Sequence, residues 1–413
     1  MDYNVTKIKR TYLALVLGNT LAASFIWGIN TIFLLDAGLS NFEAFAANAF
    51  FTAGMVLFEV PTGIVADSRG RRVSFMLGSI TLVATTLLYL LLWQVAAPFY
   101  LWAIVSLLLG LGFTFFSGAL EAWVVDALAY AGYKDGLESI FSKSQIVAGV
   151  AMLTGSVLGG IIAQISNLGV PYAIRAAILL ATLVVAYKFM KDIGFSAEKS
   201  KDIYKDTKKL LKASVDNGFK NPPVRYLMLA APFSAGVGIY VFYAMQPYLL
   251  ELYGDATAYS IAGLVAAIVA GAQIAGGFAA PKIRKLFKHR TSALLFGVAA
   301  TVGILVLSGI ASNFWLVLVL ITLWGLIFAA ITPIRQAFLN DLIPSKQRAT
   351  VLSFDSLMGS SGGVVTQPAL GKAADIYGYG TSYIFAAGIQ FLAIPFLIRA
   401  KKLNDPKDTV KVS

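Results

Sequence analysis

Apolar residues fall along this chain in twelve runs of about twenty, centred near residues 24, 54, 83, 112, 152, 181, 237, 269, 301, 327, 362 and 390. Short polar gaps separate them. About twenty apolar residues are what a helix needs to cross the hydrocarbon core of a bilayer. Amide groups inside lipid must find partners within their own segment, so such runs must be helical. The two-residue alternation of an outer-membrane barrel is absent. The first run passes into a charged loop without a small-residue cleavage site, so it reads as a span and not a signal peptide.

The one long polar stretch, "KDIGFSAEKSKDIYKDTKKLLKASVDNGFKNPP", divides the runs six and six. The expected organisation is a six-helix bundle over residues 1–190, a cytoplasmic linker over 191–223, a second bundle over 224–400 and a cytoplasmic tail over 401–413. In the linker, Ile203, Leu210, Leu211 and Val215 roughly follow helical spacing among lysines. That pattern suits a helix lying on an anionic leaflet, and it suits a solvated linker equally well.

The two halves resemble each other. "GLGFTFFSGALEAWVVDAL" from Gly110 aligns with "GLIFAAITPIRQAFLNDL" from Gly325, which sets Glu121 opposite Gln336 and Asp126 opposite Asp341. "SIFSKSQ" aligns with "TVLSFDS", placing Lys143 opposite Asp355, and "GIVAD" aligns with "GFAAP". The offsets agree to within a few residues at all three places. The expected fold class is therefore an all-α membrane protein with 12 transmembrane helices in two pseudo-symmetric six-helix bundles. Duplicated halves are a hallmark of secondary transporters, whose substrate sites lie between the repeats near the midplane.

Composition strengthens this picture. The chain is 58% hydrophobic and 13% charged, against roughly half and a quarter in soluble domains. It has no cysteine, which excludes disulfides and thiolate metal sites. The net charge of +12 does not require a nucleic-acid partner, because 30 of the 33 Lys and Arg residues fall in the segments on one side of a twelve-span topology. The exceptions are Arg175, Arg335 and Lys372. The positive-inside rule then places both termini in the cytoplasm of a multi-pass cell-membrane protein.

The gap between the second and third runs reads "GIVADSRGRR". It resembles motif A of the major facilitator superfamily, roughly G-x-x-x-D-x-x-G-R-[RK], with Gly63, Asp67, Gly70, Arg71 and Arg72 in place. Physically, Gly63 would let a neighbouring helix approach closely, and Gly70 would permit a tight turn. The resemblance implies that Asp67 bonds the start of span 11, that Arg71 meets Asp126, and that the cluster, with Lys143 nearby, gates the cytoplasmic side. "AMLTGSVLGG" resembles motif C of the drug/proton antiporters at Gly155, Gly159 and Gly160, with Ser156 where that motif has proline. Motif B is not matched, since Ser106 and Leu109 stand at its arginine and glutamine.

Polar residues inside membrane spans mark function. Gly110, Thr114, Ser117 and Glu121 share one face of a continuous span 4 by helical spacing. Trp27 and Asn30 in span 1, Tyr240, Tyr243 and Gln246 in span 7, and Thr332, Arg335 and Gln336 in span 10 complete the candidate cavity lining, because the resembled family lines its cavity with spans 1, 4, 7 and 10. The coupling candidates are Glu121, Glu59 and Asp355. Glu121 could also be held in a fixed ion pair with Arg335 or Lys143. No metal cluster, nucleophile triad or phosphate loop is present, so an enzyme and a cofactor are not expected. The expected function is proton-coupled efflux of a small amphipathic molecule by alternating access, from a monomer in the bilayer. Proton-coupled uptake of a sugar or other metabolite, or lysolipid translocation, is the alternative.

Overall fold

A computed structural model describes residues 4–134, 136–196, 219–343 and 348–409. The amphipathic pattern from Ile203 to Val215 lies outside the described residues. Among those described, regular structure is helical, with one isolated bridge between His289 and Thr409.

Among the described residues, fourteen α-helices follow one another: α1 (Val5–Trp27), α2 (Asn30–Asp36), α3 (Asn41–Arg69), α4 (Arg71–Gln94), α5 (Phe99–Thr114), α6 (Ala119–Tyr130), α7 (Glu138–Ile165), α8 (Gly169–Phe189), α9 (Pro222–Tyr253), α10 (Tyr259–Lys285), α11 (Arg290–Ile310), α12 (Phe314–Leu342), α13 (Arg348–Phe391) and α14 (Ile394–Lys402). Fourteen helices and twelve spans are reconciled by breaks. Helices α1 and α2 form one span bent by 49°, and α5 and α6 are one span interrupted at residues 115–118. The 44 residues of α13 are about twice what one crossing needs. Gly378, at φ 79° and ψ 166°, divides them into two spans, the second continuing into α14.

Two compact units form. The first is Met1–Gly38, Phe50–Ile203 and Ala258–Ala267; the second is Leu39–Ala49, Tyr204–Thr257 and Ile268–Ser413. In the first, α1 packs on α7 and α8, and α4 packs on α5 and α8. In the second, α9 packs on α13, and α11 packs on α12 and α13. These are the same pairings six spans later. The aligned glycines behave alike too. A Cβ at Gly110 would sit 2.4 Å from the Phe51 carbonyl of span 2, and one at Gly325 would sit 3.2 Å from Val269 of span 8.

Each unit has its own apolar core. Tyr12, Leu15, Phe75, Leu82, Trp123 and Leu179 fill the first, and Leu227, Leu294, Phe338, Leu342 and Leu397 fill the second. Leu57, Phe278, Trp315 and Val365 are exposed, as residues that face lipid are free to be.

Candidate functional site

The motif A segment is a helix–turn–helix in the first unit. Gly70 carries φ +109°, a conformation that L side chains resist. A Cβ there would also lie 2.2 Å from Asp192 Oδ2. Glycine at the cap leaves the first turn of α4 without a side-chain acceptor, and Asp192 supplies one from 120 residues away: its Oδ1 accepts from Arg72 N at 2.9 Å. The Arg72 guanidinium donates to the Tyr187 carbonyl at 2.7 Å. Asp67 pairs with Arg71 across the turn at Gly70. The expected partner of Arg71 was Asp126; the turn brings Asp67 to Arg71 instead. Instead, the chain after α8 lies over the Asp126 backbone, where a Cβ at Gly194 would sit 2.6 Å from the Asp126 carbonyl. Close helix approach at Gly63 is not observed, since a Cβ there meets no described atom within 4 Å.

Span 4 is not the continuous polar face that spacing suggests. Thr114 ends α5, is buried, and spends its hydroxyl on the Leu111 carbonyl at 2.8 Å. Gly118, at φ +68°, turns the chain and restarts the helix as α6. The break frees Ser117, whose hydroxyl donates to Glu59 Oε1 at 2.6 Å. Glu121 stands exposed in the first turn of α6, and Lys143 is exposed near the start of α7.

Span 1 breaks at Gly28 and Ile29, so Trp27 and Asn30 do not continue one straight face. Asn30 Oδ1 accepts from the Tyr172 hydroxyl at 3.0 Å. The motif C-like glycines have a packing role here. A Cβ at Gly159 would sit 1.9 Å from the Phe25 carbonyl, and one at Gly160 would sit 2.9 Å from Gly263 Cα.

In the second unit, Tyr240 and Gln246 are core residues. Tyr240 has its hydroxyl 2.6 Å from Ser382 Oγ, and Gln246 is fully enclosed. Tyr243 is half-buried beside Phe242, and Gln336 is exposed. Arg335 is bound by Asp355, with nitrogen–oxygen distances of 2.7 and 2.5 Å, and also donates to the Leu227 carbonyl at 3.2 Å. That bidentate pair answers which group holds Arg335. The pair and Thr332 border a cavity of about 320 Å³ within this unit.

Arg175 is a buried charge that the polar-face spacing does not single out. It is 3% exposed in the middle of α8. Its Nε donates to Thr86 Oγ1 at 3.2 Å, and its guanidinium lies 5.9 Å from the Phe113 ring. Beside it, the Tyr89 hydroxyl and Ser106 Oγ are 2.7 Å apart. A single arginine inside "VPYAIRAAILL" was the available signal.

A model of the Major Facilitator Superfamily matches residues 12–307 and 286–412. The chain belongs to this superfamily. It is accordingly a multi-pass membrane transporter, not an enzyme. No curated protein matches its sequence. Among solved structures it resembles a point mutant of the nucleoside transporter NupG, with a TM-score of 0.77 at 14% identity over 96% of this chain and 100% of that one. A bacterial homologue of the human lysosomal transporter Spinster, inward-facing and unoccupied, gives 0.70 at 15% identity over 100% of both chains. A D-xylose–proton symporter gives 0.66 at 16% identity, covering 95% of this chain and 96% of that one. At these identities the likeness is one of fold.

Proposed function

We propose that this transporter couples proton movement to the export of a small amphipathic molecule by alternating access, with both termini in the cytoplasm. The carrying observation is the Arg335–Asp355 pair beside a cavity within a membrane-spanning bundle. A partly buried ion pair is sensitive to a change in either charge. A proton delivered to Asp355 removes the charge that holds Arg335, and Arg335 can then turn its donors to solute or to another carboxylate. Loss of the proton restores the pair. Glu59, tied to Ser117 at the break in span 4, and Glu121 in the next turn are further carboxylates through which a proton can pass. Broken helices support the reading, because transporters build their sites around such breaks. The motif A cluster of Gly63, Asp67, Gly70, Arg71 and Arg72 is assigned to gating.

Inverted vesicles with an imposed pH gradient test the proposal against a panel of amphipathic compounds, sugars and lysolipids. Export driven by protons predicts accumulation of amphipathic compounds that collapses with the gradient. In Asp355→Asn, accumulation should be lost while solute exchange at equal pH survives. Unchanged accumulation in folded Asp355→Asn would remove that residue and turn the test to Glu121 and Glu59. Sugar accumulation in right-side-out vesicles would reverse the direction and the substrate class.

A further inference from the structure

Protein interiors are close-packed, with few voids larger than a water molecule. The second unit carries a larger opening, a partly open cavity of about 320 Å³ lined by α9, α11, α12, α13 and α14. That volume falls in the range of sites that hold small organic ligands, about 300–1,000 Å³.

Sequence accounts for the void. Helix α9 presents Ala231, Ser234 and Ala235 to it, and α13 presents Ser356, Gly359 and Ser360. Those walls are small on both sides, and a Cβ at Gly359 would lie 3.3 Å from the Ala235 Cβ. The α12 wall is large and flat, with the Trp324 and Phe328 rings 5.6 Å apart at 31°. Such a chamber suits a ring or a branched apolar body.

Its polar groups sum to no net charge. Arg335 and Asp355 neutralise one another. Among the described residues, three of the five guanidinium donors find acceptors, two on Asp355 and one on the Leu227 carbonyl, which leaves two. Each Asp355 oxygen takes one bond from Arg335 and retains capacity for another. Elsewhere on the wall, the Gln390 amide donates to Ser234 Oγ at 3.2 Å. An anionic solute would have to draw Arg335 away from Asp355, and a cationic one would draw Asp355 away from Arg335. Either leaves a charge without its partner in a partly buried place, which is costly. A solute that both donates and accepts hydrogen bonds without charge keeps the pair intact.

We propose that this cavity, built wholly from the second unit, binds an uncharged amphiphile: an apolar ring or branched body carrying a neutral hydrogen-bonding group. The assignment rests on the transport reading above and names the solute class for it.

Two fluorescent probes share one body and differ in charge, N-phenyl-1-naphthylamine and its sulfonated relative 8-anilinonaphthalene-1-sulfonate. Energy transfer from tryptophan to each probe is titrated on the purified full-length protein in detergent. The neutral probe should bind at least about tenfold more tightly than the sulfonate. Ala235→Phe fills the cavity and should weaken neutral-probe binding by about tenfold or more. Val365→Phe, on a side chain 69% exposed on the same unit, should leave binding unchanged. Ser356→Leu fills the cavity from α13 and serves if Ala235→Phe fails to fold, as judged by size exclusion and thermal unfolding. Wild-type affinity in a folded filling variant overturns the site, and so does equal loss in Val365→Phe. Equal affinity for the sulfonate overturns the uncharged class. Binding needs no gradient, so a chamber that binds the neutral probe in a protein that moves no solute refutes the transport reading and leaves the site standing.

Discussion

Gly70 and Asp192 act as one device. A positive φ and the nearby carboxylate both demand the absence of a side chain at position 70. The carboxylate in turn supplies the acceptor that glycine cannot. Burial pushes the Asp192 carboxyl above its ordinary value of 3.8, and the Arg72 amide and the charges of Arg72 and Arg71 pull it back only in part. The folded chain therefore binds this proton more tightly than the unfolded chain does. Stability from this group is greatest at acid pH and falls as pH rises through the window between 3.8 and the raised value. Asp192→Asn keeps an oxygen for the Arg72 amide and has no charge to desolvate. Its thermal midpoint in detergent should match that of wild type at the acid end. Above the window it should stand higher by a constant margin. A margin of the opposite sign would show that attraction to the arginines outweighs burial.

Between elements, glycines that look alike in sequence differ in what they touch. Gly159 faces the Phe25 carbonyl so closely that any Cβ must push α1 from α7, whereas a Cβ at Gly63 meets no atom of the described residues within 4 Å. Overpacking of this kind costs about 1–3 kcal/mol. Gly159→Ala should lower the thermal midpoint clearly, and Gly63→Ala should leave it near wild type. The reverse order would mean that the motif A glycine, not the span 5 glycine, fixes helix approach. The same contrast explains what was legible in the sequence. Spans, repeat and motif A could be read because they depend on apolar length and on local residue strings. The breaks in spans 1 and 4 could not, because apolar length is blind to a φ reversal, although Gly28 and Gly118 stood at the two places. The Arg335–Asp355 and Ser117–Glu59 partners were each named as candidates but not matched to each other. Their separations of 20 and 58 residues are set by packing between spans, and helical spacing carries no information about that. Arg175 stands out in the sequence as a charge within a span, but its partners Thr86 and Phe113 lie on other spans, which helical spacing cannot show.

At the scale of the molecule, charge alternates with the crossings. The connections at residues 37–40, 95–98, 166–168, 254–258, 311–313 and 378–380 contain no Lys or Arg. The segments at the opposite helix ends carry Arg69, Arg71 and Arg72, then Lys134 and Lys143, then Lys282, Arg284, Lys285, Lys288 and Arg290. Basic residues near span ends are retained on the cytoplasmic side, so the proposed orientation puts these basic segments in the cytoplasm. The tail follows the same logic. Asp408 is buried and accepts from Thr291 N at 2.8 Å and Thr291 Oγ1 at 2.6 Å, while Arg290 holds Asp341 at 2.6 Å. The segment around Asp408 is thereby fastened to the start of α11, next to the basic connection between α10 and α11. The absence of cysteine makes this directly measurable. A cysteine at exposed Lys288 should react with a membrane-impermeant maleimide only in inverted vesicles or after permeabilisation. One at exposed Ala256 should react in intact cells. Labelling of Lys288→Cys from outside, with Ala256→Cys protected, would invert the molecule. Export would then have to be reargued as uptake, because solute direction is defined only against this orientation.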